Sequence, residues 1–100
     1  MDKKEKTKLL LKGAIAEYKK EKYVGKSHSL LNSIVGLKLK LIRLEKNITA
    51  EAVVQDNKEM ISDVYSLYKV EQGAFQFGKL YALIKYYNVD VNNLFKLTER

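Results

Sequence analysis

The apolar positions of this chain fall at helical spacing along almost its whole length. In residues 3–22, Leu11, Ala14, Ile15 and Tyr18 recur at three- and four-residue intervals and share one face. Leu10 sits beside them, and lysines cover the rest. The pattern predicts a basic amphipathic helix closed by Gly25 as a C-terminal cap, with Ser27 or Ser29 capping the next helix. That second helix, 29–46, carries two apolar stripes. Leu31, Val35, Leu39 and Ile42 make one; Leu30, Ile34, Leu37, Leu41 and Leu44 make the other, with Lys38, Lys40, Arg43 and Glu45 in the gaps. At about 100° per residue the stripes lie roughly 140° apart, so the helix needs a partner on each side. One side meets the downstream helices. The other meets the first helix or a second subunit, so a homodimer is one of two ways to cover it. The second stripe is also heptad-like, but two heptads are too few for a coiled coil.

Asn47 breaks this helix and Thr49 caps a short one over 50–56, with Ala50, Ala52 and Val53 inward. Asp56-Asn57 reads as a turn, with Asn57 suited to the left-handed conformation. Ser62 or Asp63 caps a helix through Glu71 that turns Val64, Leu67 and Val70 inward, and Gly73 ends it. A helix over 77–87 buries Leu80, Leu83, Ile84 and Tyr87. Asp90 caps a last one with Val91, Leu94 and Phe95 inward. With no period-two strand segment, no internal repeat and no low-complexity tract, the expectation is six helices joined by short turns.

Composition narrows the chemistry. One hundred residues suit one domain, or one small domain with an extension. The absence of cysteine removes disulfides, thiolate metal sites and cysteine nucleophiles, and a single histidine, His28, leaves no multi-histidine site. His28 reads as an exposed or capping side chain. No phosphate-binding glycine loop, nucleophile motif or metal-spaced cluster is present, so no catalytic residue, metal, cofactor or small-molecule substrate is expected. No apolar run is long enough for a membrane span, the N-terminus lacks a signal-peptide core, and a cytoplasmic protein is expected. The net charge of +7 suggests a polyanionic partner. Residues 1–26 hold nine lysines against four acids, so most of the excess lies there. The division expected is 1–26, a basic amphipathic N-terminal helix, and 27–100, the main helical domain. The lysine-rich helix reads as a solvated face, a phosphate-tracking arm or a membrane-surface helix; its narrow apolar face without Trp or Phe disfavours the last.

Four segments in order resemble the lambda-repressor and Cro-like (XRE) helix-turn-helix family. Gly36–Thr49 looks like its opening helix, with the Gly, apolar-Arg and closing apolar-Thr pattern. Thr49–Val54 is similar to the first helix of the motif. Ser62–Gly73 ends in Val70-Glu71-Gln72-Gly73, like the apolar-Glu-x-Gly signature after the recognition helix. Leu80–Phe95, with Tyr87-Asn88-Val89-Asp90-Val91-Asn92-Asn93-Leu94-Phe95, is similar to the closing part. The resemblance implies an all-α, lambda-repressor-like helix-turn-helix bundle of five helices, here with an extra basic N-terminal helix. It implies double-stranded DNA as partner and Thr49, Val64, Tyr65, Ser66, Tyr68, Lys69 and Gln76 as DNA-binding positions. Glu71 would be structural, accepting hydrogen bonds from backbone or arginine. The chain departs from the pattern in three places. Thr49 to Glu71 is about three residues longer than usual; the turn glycine is missing, with Asn57 as its substitute; and Ala50 stands where a phosphate-touching Gln is common.

The residues of the 63–71 helix fit that role chemically. With Val64, Leu67 and Val70 inward, Tyr65, Ser66, Tyr68 and Lys69 are left outward. A tyrosine can donate its hydroxyl and lay its ring on a thymine methyl; a lysine can meet a phosphate or guanine. The alternative is that Tyr65 and Tyr68 are core or interface aromatics. Residues 49–63 carry Glu51, Asp56, Glu59 and Asp63 against Lys58 alone, a poor charge for approaching phosphates. Two functions are therefore expected. The first is a sequence-specific transcriptional regulator, a small phage- or plasmid-type repressor acting as a dimer by operator occlusion. The second is a protein-interaction module on the same fold, an antirepressor, antitoxin-like partner or inhibitor that binds through 51–63.

Overall fold

The computed structural model describes residues 2–97. Among them are six helices and no strand: α1 Lys3–Lys20, α2 Val24–Glu45, α3 Ala50–Asp56, α4 Val64–Glu71, α5 Phe77–Tyr87 and α6 Val91–Leu94. The radius of gyration, 13.1 Å, is that of a compact chain of this length, for which about 13 Å is usual.

Local chemistry sets most of the boundaries. Thr49, Asp63 and Asp90 each accept a backbone N–H of the following first turn, as the sequence predicts, and Asp2 does the same for α1. Three helices end in one way. Asn47 (φ 56°), Gly73 (φ 92°) and Asn88 (φ 55°) turn left-handed. The next residue's N–H then returns to a carbonyl five positions back: Ile48 to Arg43, Ala74 to Lys69 and Val89 to Ile84, at 2.9–3.1 Å.

Four expectations are corrected. First, α2 begins at Val24, not at 29, so Gly25 and Ser27 lie inside its first turn. The break falls at Glu21–Tyr23, where the Glu21 carboxylate accepts the Lys22 and Tyr23 N–H groups at 3.1 Å each. An exposed helical glycine costs only about 0.5–1 kcal/mol, too little to stop a helix anchored further along. Second, Asn57 is not left-handed (φ −132°); its side-chain amide donates instead to the Val53 carbonyl at 2.8 Å. Third, Val91 and Phe95 are each 47% exposed, because the four-residue α6 turns only Leu94 into the core. Fourth, Lys38 and Arg43 are buried and do not occupy solvated gaps. Lys38 donates to the carbonyls of Asn93 (2.8 Å) and Lys96, fastening α2 to the end of α6. Burial and the Lys96 charge lower its pKa.

Both stripes of α2 are covered within the chain. Val35 and Leu39 join Ala50, Val53, Ile61, Leu67, Val70, Leu80, Leu83, Tyr87 and Leu94 in the main core. Ile34 and Leu41 join Leu11 and Ile15 of α1 in a second, smaller core, with Ala14, Tyr18, Leu37 and Leu97 packed against it. The first helix thus covers the middle of the Leu30–Leu44 stripe, over Ile34, Leu37 and Leu41.

Candidate nucleic-acid interface

The outer face of α4 depends on how tightly its inner face is held. Leu67 and Val70 are fully buried in the main core. Gly36 lets the end of α4 touch the α2 backbone: a Cβ there would lie 2.7 Å from the carbonyl oxygens of Val70 and Glu71. Gly73 makes the matching approach from the other chain segment, where a Cβ would meet the Ser33 nitrogen at 2.8 Å. Two turns beyond Gly36 on α2, the Arg43 guanidinium grips the Glu71 carboxylate with two bonds, Nε to Oε2 at 2.7 Å and Nη2 to Oε1 at 3.2 Å. Arg43 also donates to the Ile48 carbonyl at 3.3 Å, tying α4 to the turn before α3. Burial alone would lower the Arg43 pKa, but the hydrogen bond and charge of Glu71 outweigh it and raise it. Glu71 thus has the structural part that the sequence suggests.

With the inner face fixed, Tyr65 (67% exposed), Tyr68 (44%) and Lys69 face solvent. Lys69 Nζ stands 5.2 Å from the centre of the Tyr65 ring, a cation–π contact that presents charge and ring together. Ser66 is half-buried, its N–H held by Asp63 at 2.7 Å. Val64 is half-buried against the core. Thr49 is exposed, and its hydroxyl accepts the Ala52 N–H at 3.1 Å. Gln76 is exposed at the start of α5 with no capping bond from its side chain. Thr49 and Tyr68 line one shallow concavity, together with Lys3 and Asn47; Val64, Gln76 and Lys69 are not among its lining residues. Of the acids of 51–63, only Glu51 lines this concavity. Glu51, Asp56, Glu59 and Asp63 are all exposed, Asp56 accepting the Tyr86 hydroxyl at 2.7 Å. That bond, with burial, raises the Tyr86 pKa, while the Ser66 N–H lowers that of Asp63.

Three features escape the periodicity argument. Lys3 is one of nine lysines in the first 26 residues, and only the docking of α1 on α2 singles it out. Phe77 and Tyr81 are 77% and 52% exposed and stack at 6.4 Å, with Lys85 over the Tyr81 ring and Met60 against Gly78. Their i, i+4 spacing is the signal in the sequence. A groove also runs between α1 and α4, with Leu9, Leu10 and Gly13 on one wall, Tyr68 and Gln72 on the other, and Leu37 in its floor.

No helix of the described residues is long and apolar enough to cross a membrane. Among the described residues no group of three His, Cys, Asp or Glu side chains could hold a metal ion. Comparison with protein-family models, curated proteins and solved structures found no match.

Proposed function

We propose that the protein is a sequence-specific DNA-binding regulator. In this reading α2–α6 form the lambda-repressor-like bundle, α3 and α4 are the helix-turn-helix pair, and α4 enters the major groove. A homodimer covers a pseudo-palindromic operator and excludes polymerase; no chemistry on a substrate is involved. One observation carries it: α4 is locked to α2 by two glycine contacts and a bidentate ion pair, while Tyr65, Tyr68 and Lys69 on its outer face are exposed. A rigid helix with an exposed polar-aromatic face is what groove reading requires.

The test is binding to duplex DNA across a salt series, first with a random pool and then with the sequences selected from it. Each phosphate contact contributes about −0.9 to the slope of log affinity on log salt, so a steep slope is expected. Tyr65→Ala and Tyr68→Ala should each cost roughly 1–3 kcal/mol at selected sites, and Tyr65→Ala should cost less on random DNA. Lys69→Ala should weaken both alike if it meets phosphate. The second reading, a protein-interaction module, is favoured by the exposed acids Glu51, Asp56, Glu59 and Asp63 in the segment leading into α4. A flat salt response with unchanged binding by all three variants would favour it over the first.

A further inference from the structure

By sequence alone the lysines of α1 are equivalent. Docking on α2 makes them unequal. Leu11 and Ile15 mark the buried line of α1. Leu10, Ala14 and Glu17, to one side of that line, border the groove that faces Tyr68 and Gln72. At about 100° per residue, Lys3 and Lys6 in the first turn and Lys20 in the last fall on this side, whereas Lys8, Lys12 and Lys19 fall on the other. Lys3 is therefore a cation that α1 brings to α4. It lines the concavity that also holds the exposed Tyr68 side chain, Asn47 and Thr49. Arg43 lies in the same wall, but its guanidinium is spent on Glu71 and the Ile48 carbonyl. The opposing charge there is Glu51.

We propose that Lys3 and the Tyr68 hydroxyl hold one backbone phosphate of bound duplex DNA, so that α1 meets the duplex through its first turn and not along its length. This rests on the DNA-binding reading above. Lys3 supplies a mobile ammonium and Tyr68 a directed O–H donor, the two kinds of group that seat a phosphate oxygen. Between Lys6 and Lys20 this side of α1 offers Leu10, Gly13, Ala14 and Glu17, which have nothing to give an anion.

The experiment measures binding of the full chain to a short random-sequence duplex over a salt series. Wild type is compared with Lys3→Ala, Lys3→Arg, Lys12→Ala, Tyr68→Phe, Glu51→Gln and the Lys3→Ala/Tyr68→Phe pair. Lys3→Ala should flatten the log–log slope by about 0.9 per subunit and weaken binding several-fold at low salt. Lys3→Arg and Lys12→Ala should bind as wild type, and Glu51→Gln should bind more tightly. The double variant should lose less than the sum of its two single losses, because either change already loosens the shared phosphate. Equal losses from Lys3→Ala and Lys12→Ala, no loss from Lys3→Ala, or additive losses in the pair would each overturn the proposal. Duplex binding by wild type alongside any of those results would leave the DNA-binding reading standing; no duplex binding by wild type would remove both. Circular dichroism of each variant separates lost contacts from lost folding.

Discussion

The two flanks of α2 are held by different physics. On the α4 flank the contact is backbone against backbone. Gly36 faces two carbonyls, Gly73 faces the Asn32–Ser33 peptide, and a buried, bidentate Arg43–Glu71 pair adds a third tie further along α2. On the α1 flank the contact is side chain against side chain: Leu11 and Ile15 on Ile34 and Leu41, bordered by half-buried Ala14, Tyr18 and Leu37. No hydrogen bond or ion pair between side chains joins α1 to α2 among the described residues. Backbone contacts at this range leave no room for sliding, since any shift of α4 drives a carbonyl into α2. Apolar side chains re-pack by rotamer changes at low cost. The molecule thus holds α4 more firmly than α1, which suits the groove-reading role proposed for α4.

The sharpest way to break the comparison is Glu71→Ala. It strands a buried guanidinium, and removing one partner of such a pair costs about 3–5 kcal/mol. The loss should appear as a lower urea midpoint for the whole bundle, with the main core unfolding as one unit. A loss below about 1 kcal/mol would mean that water reaches Arg43 and that the α4 flank is not sealed.

Leu11→Ala should follow. Truncating a fully buried leucine costs about 2–5 kcal/mol, the lower end applying where neighbours collapse into the space. Here the comparison predicts a different mode of failure. The second core is small, so α1 should undock and become susceptible to protease near Glu21–Tyr23 while α2–α6 stay folded. The released surface, with Ile34 and Leu41, should then drive self-association. Global unfolding at one midpoint, without early cleavage of α1, would show that the two cores are one cooperative unit.

The sequence disclosed the elements far better than the site. Both stripes of α2 were legible because 3.6-residue periodicity survives any tertiary arrangement, and Thr49, Asp63, Asp90, Asn47 and Gly73 mark ends by local chemistry. Lys38 and Arg43 were misplaced for the opposite reason. A long basic side chain in a polar gap reads as solvated unless its partner is known, and those partners, Asn93, Lys96 and Glu71, are 28 to 58 positions away. The start of α2 was misread because Gly25 offers a plausible cap that the Glu21 carboxylate makes unnecessary. Lys3 could not be told from its eight neighbouring lysines until the packing of α1 gave the helix an inside. The nearness of Thr49 to Tyr68 is likewise a tertiary fact.

The smallest effect is expected where the ion pair meets the main core. Tyr87 is 2% exposed and its hydroxyl finds no hydrogen-bond partner among the described residues. Burial, then the nearby Glu71 charge, hold its pKa well above the usual 10.0. The folded chain therefore keeps this proton where the unfolded chain releases it. A group whose pKa rises on folding gives its full stabilisation below the unfolded value and loses it as pH climbs past that value. Stability should be insensitive to Tyr87 near neutrality and fall from about pH 10 upward. Lys38 acts with the opposite sign in the same range, because its lowered pKa means that the folded chain gains stability as pH rises toward 10.5. Comparing wild type with Tyr87→Phe cancels Lys38 and the other tyrosines. Near neutrality the two proteins should agree within about 1 kcal/mol, since no hydrogen bond among the described residues is lost. Above about pH 10 the Phe variant should become relatively more stable, by at most about 1.4 kcal/mol per pH unit. Urea unfolding at several alkaline pH values measures the gap. Parallel curves would place the hydroxyl in contact with solvent, and with it the Arg43–Glu71 pair whose sealing distinguishes the α4 flank from the α1 flank.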